Sequence, residues 1–72
     1  MKQVLTPRQK EVAQLLVNGA SNQEIAATLY LDISTVKNYI QHLRERAGGA
    51  KNRVQLAVSL VLDYGIHPAQ KG

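Results

Sequence analysis

The chain reads as an all-α fold of four short helices, and three observations predict it. Helix-start signatures recur at Thr6, Ser21 and Asn52, each followed three residues later by Gln9, Glu24 and Gln55. Between these starts, apolar residues recur at helical rather than strand spacing. Glycines that can close a helix follow at Gly19, Gly48-Gly49 and Gly65. No segment alternates apolar and polar residues as a strand would, and no internal repeat is present.

The first helix starts at Thr6, whose hydroxyl can accept from early backbone amides, with Pro7 suited to the first helical position. Val12, Leu15 and Leu16 form its inner face, and Asn18-Gly19 ends it. The second helix, about residues 22–29, starts from the cap at Ser21 and turns Ile25, Ala26 and Leu29 inward. The third, about 33–46, has Asp32 as N-cap, its carboxylate expected to reach the amides of Ser34 or Thr35. Val36, Ile40, Leu43 and Ala47 make one apolar stripe along it. The fourth runs from about 53 to 64 and closes at Gly65. The expected organisation is a lead-in over 1–5, one domain over 6–65 and a flexible, polar tail over 66–72.

At 72 residues the chain is one domain with a marginal core. It has no cysteine, which excludes disulfides and thiolate metal sites. His42 and His67 lie far apart without a carboxylate at ligand spacing and read as surface histidines, so no metal is expected. No apolar run approaches the roughly 18–20 residues that span a bilayer, and the first residues are not a signal peptide. A cytoplasmic location is the expectation. Catalysis is not expected either: there is no glycine-rich phosphate loop and no His–carboxylate pattern to activate a nucleophile. No cofactor and no small-molecule ligand are implied.

The net charge is +4, and it sits in one place. Residues 33–53 carry Lys37, Arg44, Arg46, Lys51 and Arg53 against Glu45 alone, while the remaining charges cancel. A concentrated basic segment is the electrostatic footprint of a nucleic-acid binder, although charge alone fits a plain solvated face equally well.

The arrangement of the second and third helices adds to this. A helix-turn-helix joins two helices by a turn of about 3–4 residues, and Tyr30-Leu31-Asp32 has that length. A close crossing needs a small residue on the first helix, which Ala26 supplies, and an apolar anchor on the second, which Val36 supplies. At 100° per residue, Val36, Tyr39, Ile40 and Leu43 fall toward the core, while Ser34, Lys37, Asn38, Gln41 and Glu45 face away. Lys37 and Arg44 can pair with phosphate or guanine acceptors, and Asn38 and Gln41 can offer the donor–acceptor pair that reads adenine. Glu45 runs against this and is expected beyond the groove edge or engaged with a neighbouring arginine.

In these residues the chain resembles a known family. Leu5-Thr6-Pro7-Arg8-Gln9, Gly19 to Ala26, Leu29-Tyr30-Leu31, Thr35-Val36-Lys37-Asn38 and Asn52-Arg53 together resemble the LuxR-type (GerE/FixJ-like) helix-turn-helix domain over roughly residues 5–65. The resemblance implies a four-helix domain that controls bacterial transcription, with its third helix in the major groove of double-stranded DNA. It places Lys37, Asn38 and Gln41 at base edges, and Ser21, Asn22, Gln23, Thr35 and Arg53 near phosphates. Ser34, Arg44 and Lys51 complete the expected phosphate set. Gln9 stands where the family commonly has Glu, Asp32 where it has Ser and Tyr39 where His is frequent. The loop 47–51 is one residue longer than usual, which bears on where Arg53 lies.

The fourth helix is apolar over about 240° of its circumference, more than the stripe of somewhat over about 100° that one core face needs. Leu56, Ala57, Leu60 and Tyr64 match the family's inward positions. That leaves Val54, Val58, Val61 and Leu62 as the expected surface of a homodimer. The competing account of that patch is the tail folding back over it, with Ile66 taking part.

Two other functions stay open. The chain could sequester a LuxR-type regulator through its fourth helix without reading DNA. It could also be the fourth region of a sigma factor, against which the amphipathic last helix speaks. A contact with RNA polymerase is compatible with the regulatory reading, although no residue marks one. A sensing domain would need roughly 100 further residues, so the chain is expected to be either a free-standing regulator or the output part of a longer protein.

Overall fold

A computed structural model describes residues 4–69. The expectations for the start of the lead-in, residues 1–3, and for the end of the tail, residues 70–72, lie outside the described residues. Four helices follow one another: α1 (Pro7–Val17), α2 (Asn22–Leu29), α3 (Ile33–Arg46) and α4 (Arg53–Tyr64).

Local chemistry sets most helix boundaries. The Thr6 hydroxyl accepts from Gln9 N, and Gln9 Oε1 accepts from Thr6 N at 2.9 Å, so the box holds with glutamine in place of glutamate. Gln9 is buried in the process. Ser21 and Glu24 form the same reciprocal pair at α2, the Ser21 amide donating to Glu24 Oε1 at 2.8 Å. Asn52 Oδ1 accepts from Gln55 N, and Gln55 Oε1 turns back to Lys51 N. Gly65 closes α4 at φ 67°.

Asp32 is a correction. It is the N-cap residue of α3, with φ −73° and ψ 153°, but its side chain makes no capping hydrogen bond. Its carboxylate acts on the helix start through charge alone, which needs no contact geometry.

The core is built from all four helices. Val12, Ala13 and Leu16 of α1 meet Ile25 and Ala26 of α2, Val36, Ile40, Leu43 and Ala47 around α3, and Leu56 and Leu60 of α4. The apolar stripe of α3 is therefore buried along its whole length. Leu5, ahead of α1, is buried with them. α3 packs on both α1 and α2, and α4 on α1. The Tyr64 hydroxyl donates to the Arg46 carbonyl at 2.9 Å, tying the end of α4 to the end of α3.

Residues 66–69 have no regular secondary structure and run along α1. Ile66 N donates to Leu60 O. Gln14 Nε2 donates to His67 O at 2.7 Å, and Ala69 N donates to Asn18 Oδ1 at 2.7 Å.

Candidate nucleic-acid interface

The turn between α2 and α3 is made by Tyr30, Leu31 and Asp32, with Ala26 and Val36 buried on either side of it. Tyr30 takes the left-handed conformation (φ 57°, ψ 48°) and caps α2 through a bond from its amide to Ala26 O. A non-glycine residue pays a steric penalty there, and the Tyr30 side chain, 94% exposed, recovers none of it by burial. Leu31 N also returns to Ala26 O, at 2.9 Å. The two bonds fold the chain tightly from one helix into the next.

On the outer face of α3, Ser34, Lys37, Asn38, Gln41 and Glu45 are exposed, and Thr35 and Arg44 are half-buried. The start of α4 approaches this face from the side. Arg53 spans the gap to α2: Nη1 donates to Asn22 Oδ1 and Nη2 to Ala20 O, both at 2.7 Å. The longer loop before it thus delivers Arg53 to the start of α2. Because Asn22 accepts with Oδ1, its NH₂ group is turned away from the arginine and is left to donate elsewhere.

These elements enclose an open cleft of about 230 Å³ lined by Asn22, Lys37, Ile40, Gln41, Arg44 and Arg53. Three cations and two amides face it, with no carboxylate in its lining. Arg44 Nε is shielded from solvent and has no hydrogen-bond partner among the described residues. A buried donor without an acceptor is costly, and an anionic oxygen entering the cleft would remove that cost. The arrangement suits a phosphate. Of the residues expected to touch DNA, the structure gathers Asn22, Lys37, Gln41, Arg44 and Arg53 around this opening. Ser21, Gln23, Ser34, Thr35, Asn38 and Lys51 stand outside its lining. Gln41 Nε2 donates to Glu45 Oε2 at 3.4 Å. Among the described residues Glu45 thus takes its hydrogen bond from Gln41, one turn away, and not from a neighbouring arginine, which was one of the two expectations for it.

Sequence reasoning did not find the tie between Arg53 and the Ala20 carbonyl. A backbone acceptor has no side-chain signature, and the two residues are far apart in the chain. The apolar floor that Ile40 gives the cleft was missed because Ile40 reads as core.

On α4, Val54 is 74% exposed, Val58 50% and Leu62 75%, while Val61 is half-buried. Val58, Val61 and Leu62 line one apolar groove of about 270 Å³ together with Val17, Ala57 and Pro68. Val54 borders a different opening, beside the Gly48-Gly49 loop. Pro68 contributes one wall of the groove, and Leu62 stays exposed.

Among the described residues no His, Cys, Asp or Glu cluster could hold a metal ion, and no helix is long and apolar enough to cross a membrane.

The family described as bacterial regulatory proteins, luxR family, matches residues 3–60. Spore germination protein GerE of Bacillus subtilis is 38% identical over 60 residues, covering 83% of this chain and 80% of that protein. The CsgBAC operon transcriptional regulatory protein of Escherichia coli is 43% identical over 60 residues, 83% of this chain and 27% of that protein. The transcriptional regulatory protein DesR of Bacillus subtilis is 41% identical over 51 residues, 71% of this chain and 25% of that protein. The chain thus spans most of GerE but about a quarter of the other two. No solved structure matches it. The chain belongs to the luxR family of bacterial regulatory proteins, and its four helices form the DNA-binding helix-turn-helix domain of that class of transcription regulators.

Proposed function

We propose that this chain binds double-stranded DNA sequence-specifically in the bacterial cytoplasm, with α3 in the major groove, and does so as a twofold dimer joined through α4. The cleft between α2, α3 and α4 carries the reading. Lys37, Arg44 and Arg53 converge there with the amides of Asn22 and Gln41, and an orphaned Arg44 donor awaits an acceptor. On docking, Lys37, Asn38 and Gln41 would meet base edges. Ser21, Asn22, Gln23, Ser34, Thr35, Arg44, Lys51 and Arg53 would line the phosphates. The exposure of Val54, Val58 and Leu62 supports α4 as the dimer surface. A twofold dimer sets two recognition helices roughly 34–36 Å apart, so the operator is an inverted repeat with half-sites about 10 bp apart.

The test is selection of bound duplexes from random-sequence DNA at two salt concentrations, followed by sequencing. The expected result is an enriched inverted repeat whose affinity falls by orders of magnitude as salt rises. Gln41→Ala or Lys37→Ala should cost about 1–3 kcal/mol and relax the preference at one position of each half-site. Salt-sensitive binding with no enriched motif would remove the sequence-specific part. The apolar face of α4 favours one second reading, sequestration of a related regulator without DNA contact. Absence of binding at either salt would put that reading first.

A further inference from the structure

The first turn of α3 carries a partly exposed apolar side chain. Helix starts favour acidic residues in the first turn, where unpaired N–H groups carry partial positive charge. α3, like α1 and α4, has none there; Asp32 supplies the negative charge at its cap, and its first helical residue is Ile33. Isoleucine is β-branched and among the poorer helix formers. The side chain is 36% exposed, so the fold covers most of it and leaves the rest at the surface.

The helix geometry indicates what the side chain meets. Ile33, Lys37 and Gln41 fall at i, i+4 and i+8 of α3, so they form one slowly turning stripe with steps of about 6 Å. A recognition helix contacts base edges chiefly with its N-terminal residues. Isoleucine can neither donate nor accept a hydrogen bond, so the acceptor and amino edges of the bases offer it nothing. The one apolar group on a base's major-groove edge is the C5-methyl of thymine. A cytosine at the same place would hold its amino group against the aliphatic side chain.

We propose that Ile33 is a specificity-determining residue that packs on one thymine methyl in each half-site, extending the hydrogen-bonded readout of Lys37 and Gln41 by an apolar contact. The proposal rests on the DNA-binding reading above.

The test uses the duplex selected by the wild-type protein, with each thymine replaced in turn by deoxyuridine, which removes only the methyl. At one thymine per half-site the replacement should weaken wild-type binding about fourfold, the effect of one buried methyl. Ile33→Ala should bind the thymine and uracil forms equally at that position and keep the other preferences. Ile33→Val, which retains a branched contact, should keep most of the discrimination. Thermal melts followed by circular dichroism verify that both variants are folded. Methyl sensitivity at no thymine, or the same sensitivity in Ile33→Ala, would overturn the proposal while leaving specific DNA binding intact. Failure to enrich any duplex would instead defeat the DNA-binding reading, and this proposal with it.

Discussion

Replacing Arg53 by lysine and by alanine separates charge from geometry at the cleft. The guanidinium makes two 2.7 Å bonds, to Asn22 Oδ1 and to Ala20 O, linking the first turn of α4 to the start of α2. Hydrogen bonds to a charged group contribute roughly 1.5–3 kcal/mol each. Arg53 is only half-buried, so water can replace part of what is lost, and about 2 kcal/mol for the pair is a fair expectation. For a domain of this size that corresponds to a fall in melting temperature of about 8–16 °C in Arg53→Ala. A lysine keeps the charge but replaces a rigid fork with a compact charge on a flexible stem. Arg53→Lys should therefore recover less than half of the lost stability. The assay is thermal unfolding followed by far-ultraviolet circular dichroism at fixed salt, with DNA affinity measured in parallel. If Arg53→Ala melts with the wild type, the fork contributes nothing to the fold. If Arg53→Lys is as stable as arginine, charge alone suffices and the geometric argument fails.

Two further changes probe other parts of the molecule. Val58→Asp places a carboxylate on the apolar groove of α4, at a residue 50% exposed, and should yield a monomer that binds DNA more weakly with its helices largely retained. An unchanged sedimentation profile would remove Val58 from the dimer surface. The Ser21 amide, and after it the Ser21 hydroxyl, holds the Glu24 carboxyl below the ordinary glutamate range. A lowered value in the folded state means that this stabilisation is present above the ordinary carboxyl range and is lost as pH falls through the lowered value. Glu24→Gln retains the capping box without the charge, so its melting temperature should fall less steeply toward acid than that of the wild type. Parallel curves would show that the Glu24 charge contributes nothing.

Readings from sequence succeeded where cause and effect lie within a turn of each other. Thr6 with Gln9, Ser21 with Glu24 and Asn52 with Gln55 are three residues apart, and each pair sets a helix start as expected. The stripe Val36, Ile40, Leu43 and Ala47 is a periodicity within one helix, and all four residues are buried. Asp32 shows the limit even at short range. Its identity predicts a cap and it occupies the cap position, yet whether the carboxylate bonds an amide depends on a rotamer that the sequence does not encode. Glu45 is similar: its neighbours in sequence include two arginines, and the fold bonds it to Gln41. Tyr30 was read only as part of a turn, because a left-handed tyrosine has no marker comparable to glycine.

The sequence by itself determined the four helices, the turn between the second and third, the polar outer face of α3 and the concentration of positive charge, because each follows from neighbouring residues and from helical periodicity. Only the tertiary structure decided that Arg53 binds Asn22 and Ala20, which lie 31 and 33 residues away. It also decided that the Arg44 donor is shielded from solvent and that Pro68 walls the groove on α4 beside Val17. These juxtapositions depend on how α4 and residues 66–69 pack against the first three helices. That packing is fixed by the shape of a core shared among all four, which no local pattern specifies.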